Sequence, residues 1–197
     1  MSLYPLFPLR SVLFPGGRMA LRIFERRYLD LVRNSLRQQQ SFGIAWLEQG
    51  GSEVLEDGAS LPELGEVGTE ANIVDWNQQP DGLLGIVIEG GRRFRIGSLS
   101  QDAGGVYMAE VEWLADEPIA PLPERSQELQ RLLQQLGEHP HIQRLGMSLE
   151  VDDAGLLANR LAQMLPIDPY VAQQLLAIDD PVVRLNALQE ALDHMAR

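Results

Sequence analysis

Hydrophobic and polar positions alternate with two different periods, one before and one after residue 117. In the first part, short apolar runs at Leu3–Leu9, Met19–Phe24, Ser41–Leu47, Val67–Asn77, Leu83–Ile88, Arg92–Leu99 and Val106–Leu114 predict β-strands. Turn chemistry separates them. Phe14-Pro15-Gly16-Gly17 and Gln79-Pro80-Asp81-Gly82 each combine a proline that presets φ with a glycine that tolerates positive φ, and Gly90-Gly91 and Gly104-Gly105 predict two further reversals. Between Glu25 and Gln38 the period changes to 3.6. Phe24, Tyr28, Leu31, Val32, Ser35 and Leu36 then share a face, with Arg26, Arg27, Arg33 and Arg37 largely elsewhere, which predicts one amphipathic helix. The stretch Glu48–Glu66 holds five glycines or prolines and six acids and reads as a long acidic hairpin loop.

From Asp116 to Pro123 the composition turns proline-rich, and all later periodicity is helical. Leu129, Leu132, Leu133 and Leu136 form the first stripe, with Gly137 expected to close that helix and Pro140 beyond it. A second helix follows Asp152-Asp153, with Leu157, Leu161, Met164 and Leu165 inward and Pro166 at its end. Asp168-Pro169 and Asp180-Pro181 each place a capping oxygen before an N1 proline, which starts two more. The expected fold is therefore α+β: a β-rich domain with one helix over residues 1–117, a connector over 118–123 and a helical bundle over 124–197. Leucine stripes of this kind are core packing.

Composition removes several chemistries. The chain has 197 residues, no Cys, and 16 basic residues that are all Arg. Disulfides, thiolate zinc sites and cysteine nucleophiles are excluded, as are a Walker lysine, a lysine Schiff base and a Ser–Lys dyad. The net charge of −12 hides an asymmetry, because residues 1–40 carry seven Arg against two acids while residues 41–90 carry ten acids and no base. Such a balance opposes the counterion-release term that drives nucleic-acid binding. The N-terminus lacks the basic and apolar regions of a leader, and no run of 18 apolar residues occurs, so a cytoplasmic protein without a membrane partner is expected.

Candidate chemistry is sparse. His139-Pro140-His141 is the one close histidine pair, too isolated to read as a metal site, and no Gly-x-Ser-x-Gly occurs. No catalytic residue, cofactor or metal is expected; an active site would need Glu25, Asp81 or Glu89 gathered in a deep pocket. Two Gly-Gly-Arg segments, at Gly16-Gly17-Arg18 and Gly90-Gly91-Arg92-Arg93, have the composition of anion cradles, but two glycines between strands are more simply a turn. In Arg92-Arg93-Phe94-Arg95, strand alternation sets one arginine beside a buried aromatic, paired with an acid such as Glu89 or Glu25.

Several motifs together resemble a known family. Leu6-Phe7-Pro8-Leu9-Arg10, Val12-Leu13-Phe14-Pro15-Gly16, Val67-Gly68-Thr69-Glu70-Ala71-Asn72-Ile73, Pro80-Asp81-Gly82 and the Val87, Gly90, Arg93 spacing are similar to the N-terminal substrate-binding domain of the Lon ATP-dependent proteases. Leu157-Ala158, Leu161-Ala162, Leu165-Pro166, Gln173, Leu175-Leu176, Asp180, Arg184-Leu185 and Leu188 resemble the helical segment that follows. The resemblance implies a PUA-like pseudo-barrel followed by a helical bundle, and a role in holding polypeptides. Lon carries its ATPase and Ser–Lys protease centre downstream, so a chain ending at Arg197 without lysine looks like a stand-alone Lon-domain protein, not a protease.

The function expected is thus a non-catalytic protein- or peptide-binding module, its groove between barrel and helices or along an exposed strand edge. Unfolded or partly folded polypeptides, or one dedicated protein partner, are the expected ligands. Phe7, Phe14, Tyr28, Trp76 and Phe94 are candidate apolar anchors, with Arg10 and Arg93 as hydrogen-bonding forks. The alternative is a small-molecule or nucleic-acid binder on a PUA-like barrel that uses the N-terminal arginines.

Overall fold

A computed structural model of the protein describes residues 3–48 and 61–195. Most of the expected acidic loop, residues 49–60, lies outside the described residues. Six strands, β1 (Leu3–Leu9), β2 (Arg18–Ile23), β3 (Phe42–Trp46), β4 (Val67–Gln78), β5 (Leu84–Gln101) and β6 (Tyr107–Trp113), form one mixed sheet, with α1 (Arg26–Gln38) between β2 and β3. Every pairing is antiparallel except β1–β3. A parallel pair needs a crossover, and β2 with α1 supplies it.

The order is β2-β5-β4-β3-β1-β6, and β5 also pairs with β6, so five strands close into a ring. β5 makes this possible by its length of 18 residues. At Phe94 and Arg95 it is paired with β4 and β6 at once, and over Leu84–Glu89 with β4 and β2 at once. Since a strand has two edges, β2 and β6 must lie end to end along the edge of β5 opposite β4.

This corrects the expected reversal at Gly90-Gly91, where β5 runs straight through. The two glycines serve a close approach instead. Gly16 N–H donates to the Gly90 carbonyl at 2.7 Å and Gly90 N–H to the Gly17 carbonyl at 2.9 Å. A Cβ on Gly90 would sit 2.1 Å from the Phe14 carbonyl oxygen. The register against β4 slips by one residue nearby, a bulge that bends β5 between its two pairing stretches. The reversals at Phe14–Gly17, Gln79–Gly82 and Gly104-Gly105 do form, with positive φ at Gly16, Gly82 and Gly105.

Helix α1 buries Arg27, Tyr28, Leu31, Val32 and Ser35. Its inward stripe is therefore rotated from the expected one: Arg27 is inside and Phe24, which precedes the helix, is 61% exposed. Arg27 is tolerated there because its Nε donates to Glu25 at 2.8 Å while its guanidinium stacks over the Tyr28 and Tyr107 rings.

Beyond the connector, a 3₁₀ turn at Glu124–Ser126 leads into α2 (Gln127–Gly137), α3 (Pro140–Leu145), α4 (Ala154–Met164), α5 (Pro169–Ala177) and α6 (Pro181–Met195). Asp153, Asp168 and Asp180 accept the capping hydrogen bonds of α4, α5 and α6 from Leu156, Tyr170 and Val182. Helix α3 is an addition to the expected set. Pro140 starts it at N1, and His139 caps it by accepting the His141 N–H on Nδ1. Gly137 remains inside α2, where a Cβ would meet Leu149 at 2.0 Å, so close packing explains it and not a cap. One hydrophobic cluster fills the sheet around Phe7, Ile23, Tyr28, Val32, Phe42 and Ile88. Another joins Val12, Phe14, Trp46 and Val67 of the strand region to Leu133, Leu157, Leu161, Leu176 and Leu188 of the helices.

Candidate polypeptide-binding site

The end-to-end placement of β2 and β6 leaves an opening. β1 pairs with β6 over Leu3–Leu6 only, and the described residues give its later part no partner on that side. The remaining part, Phe7 to Leu9, faces β2 across a pocket of about 170 Å³. Phe7, Pro8 and Leu9 form one lip, Leu21, Arg22, Ile23 and Phe24 the other, and Tyr28 lies between. The Phe7 and Tyr28 rings stack at 3.9 Å, which makes a flat apolar floor. Pro8 suits its lip, since it lacks the N–H that an unpaired strand edge would leave unsatisfied. β2 is hydrogen-bonded only to β5 among the described residues, so its outer edge offers backbone donors and acceptors along the seam.

Of the seven candidates, Phe7 and Tyr28 line this pocket, and Trp76 lies on β4, two strands from its β2 lip. Phe7 and Tyr28 are buried but line the pocket. Trp76 stands opposite Ile86, and Ile86 opposite Leu21, so the three share one face of the sheet, with Trp76 60% exposed. The other four candidates lie apart. Phe14 and Phe94 are fully buried, the first under the helices and the second among Leu6, Ala45 and Tyr107. Arg10 lines a separate pocket of about 420 Å³ with Trp46 and Tyr170, whose rings meet edge to face at 6.2 Å. Leu21 and Phe24 were missed by sequence reasoning. Phe24 carried a usable signal, because it stands before the helix start and so outside the helical stripe.

Arg93 sits in a buried ionic clasp between strands and helices. Its Nε lies 3.0 Å from Glu117 Oε1 and its guanidinium 3.2 Å from Asp179, and it donates to the Leu176 carbonyl at 2.7 Å. Arg184, fully buried, lies 2.7 Å from the same Glu117 oxygen and donates to Asn159 at 2.9 Å and to the Leu175 carbonyl. Burial, followed by the Arg184 charge, pulls the Arg93 guanidinium below its usual range. The partner of Arg93 is thus Glu117, and the expected alternatives are engaged elsewhere: Glu89 with Arg18 at 2.6 Å and Glu25 with Arg27. Asp81 pairs with Arg22. The three carboxylates considered for an active site therefore each face an arginine, and no described pocket gathers all three. The two Gly-Gly-Arg segments do meet, around a pocket of about 270 Å³ that Asp116, Glu117 and Asp153 also line. With three acids against Arg92 and Arg93, this is no anion cradle. Among the described residues no helix is long and apolar enough to cross a membrane.

Comparison with known proteins shows the family of the chain. A family profile described as ATP-dependent protease La (LON) substrate-binding domain matches residues 3–194, and the chain belongs to that family. The solved Lon N-terminal domain protein from Xanthomonas campestris superposes with a TM-score of 0.74 and 34% identity, covering 96% of this chain and 98% of the other. The N-terminal domain of a Mycobacterium avium complex Lon protease shares the fold at a TM-score of 0.63 and 19% identity, covering 98% of each chain. Lon protease of Cytophaga hutchinsonii is 27% identical over 98% of this chain, and Lon protease 2 of Myxococcus xanthus 25% over 98%. The chain spans only 24% and 22% of those two proteins. What it matches is their substrate-binding part.

Proposed function

We propose that the protein is a polypeptide-binding module that takes an extended, partly unfolded segment into the seam between β1 and β2. The observation that carries this reading is an unpaired strand edge beside an apolar pocket, in a chain of a substrate-binding family. An extended segment laid along β2 adds main-chain hydrogen bonds, and alternate side chains drop toward the Phe7–Tyr28 floor. Phe24 closes over the bound side chain. No bond is made or broken, so the module holds a segment without processing it. We read the closed sheet as a PUA-like barrel and divide the chain into barrel 1–117, connector 118–123 and helical bundle 124–197, with the Arg93–Glu117–Arg184 clasp fixing one to the other.

Fluorescence anisotropy with a labelled, permanently unfolded polypeptide tests the proposal. Micromolar binding is expected, weakened roughly tenfold by Phe24→Ala, since burying one aromatic contributes about 1.5–3 kcal/mol. Binding that Phe24→Ala leaves unchanged would move the site away from the seam.

A further inference from the structure

The outward face of α1 carries charge that the fold does not use. Arg26, Arg33 and Arg37 stand seven and four residues apart, so they form one stripe along the helix, opposite the buried Tyr28, Val32 and Ser35. All three are exposed, and among the described residues only Arg33 has an ionic partner, Asp30 at 3.6 Å. Other basic residues of this segment are consumed: Arg18 by Glu89 and two carbonyls at the end of α3, Arg22 by Asp81, Arg27 by Glu25 and the Gly105 carbonyl. In a chain of net charge −12, three arginines on one stripe with one acid among them are a local exception. The stripe begins beside the seam, since Arg26 follows Phe24 and Glu25, both of which line the pocket. An apolar flank accompanies it, because Leu29 and Leu36 lie next to the arginine row and Leu36 is 38% exposed.

We infer that the seam selects segments in which an aromatic or large aliphatic anchor is flanked by carboxylates, the anchor filling the Phe7–Tyr28 pocket and the acids meeting Arg26, Arg33 and Arg37. This rests on the polypeptide-binding reading above and names the kind of segment it takes. The spacing is suitable. The stripe extends about 16 Å along the helix at 1.5 Å per residue, a length that about five residues of extended chain cover at roughly 3.3 Å each. Acids within five residues of the anchor, on one side of it, therefore reach the arginines. Glu25 does not oppose them, since Arg27 holds it.

The test uses three labelled peptides of identical length with one central Phe, flanked on both sides by Glu, Gln or Lys, and the full chain as wild type and as Arg26→Gln/Arg33→Gln/Arg37→Gln. Each exposed ion pair contributes a factor of about two to three, so the Glu peptide should bind about tenfold more tightly than the Gln peptide at low salt. The Lys peptide should bind more weakly than either. The preference should vanish in the triple variant and shrink at high salt, with the Gln peptide bound equally by both proteins. Equal binding of Glu and Gln peptides by the wild type would overturn this inference and leave the seam as a binding site. Absence of binding by all three peptides would overturn both. Displacement of the Glu peptide by a polynucleotide at lower concentration than by unlabelled Glu peptide would assign the stripe to nucleic acid and overturn the inference as well.

Discussion

The Arg93–Glu117–Arg184 clasp and the Arg26–Arg33–Arg37 stripe use one residue type in opposite ways. In the clasp two buried guanidiniums share one carboxylate, and their other N–H groups go to Asp179, Asn159 and the Leu175, Leu176 and Ile178 carbonyls. On the stripe the same groups stand in water with one acid among them. The difference teaches where structure ends and recognition begins. A buried guanidinium is held by contacts it cannot leave, whereas an exposed one with few partners loses little by taking a new one.

The largest effect expected is at the shared carboxylate. Glu117→Ala leaves two buried cations with the exposed Asp179 as the acid still beside Arg93, and urea unfolding should show a loss of about 3–5 kcal/mol; a loss below about 1 kcal/mol would show that the clasp does not bind strands to helices. Arg184→Lys keeps the charge and removes the fork, so the bonds to Ile178 and Leu175 cannot all be kept. A loss of about 1–3 kcal/mol is expected by the same measurement.

Alkaline titration adds a contrast with a partly buried neutral group, the Tyr4 phenol. Burial, with a smaller contribution from Glu70, pushes the Tyr4 phenol well above its usual value, against the hydrogen bond to Ser41. A group with a raised folded pKa lends its full stability below its unfolded value, about 10, and loses it as pH rises beyond that. Urea midpoints should therefore fall above pH 10 in the wild type and more shallowly in Tyr4→Phe. The smallest effect belongs to the stripe, where Arg26→Gln/Arg33→Gln/Arg37→Gln should change stability by less than about 0.5 kcal/mol. A larger loss would mean that the stripe, like the clasp, serves the fold.

Elements with local causes were legible in the sequence. Asp153, Asp168 and Asp180 cap helices where their spacing predicts, and the Pro80-Asp81-Gly82 turn closes with Gly82 at φ 85°. Elements decided by distant partners were not. Gly90 looks like a turn residue until the Phe14 carbonyl is placed against it, and Arg27 looks like a surface residue until Tyr107, eighty residues away, supplies a ring. The candidate site divides in the same way. Phe7, Tyr28 and Trp76 were visible as aromatics, but the gap between β1 and β2 depends on β6 stopping opposite Leu6, which no local pattern encodes.

The pairing of β1 with β6 also sets a timetable for synthesis. Leu3 lies opposite Glu110, so β1 cannot close its ring until more than a hundred residues have followed it. The edge of β1 opposite β3 therefore waits for its partner over Leu3–Leu6, and the finished fold leaves it open between Phe7 and Leu9. The opening is thus the uncovered remainder of an edge whose covered part depends on the most distant pairing in the sheet.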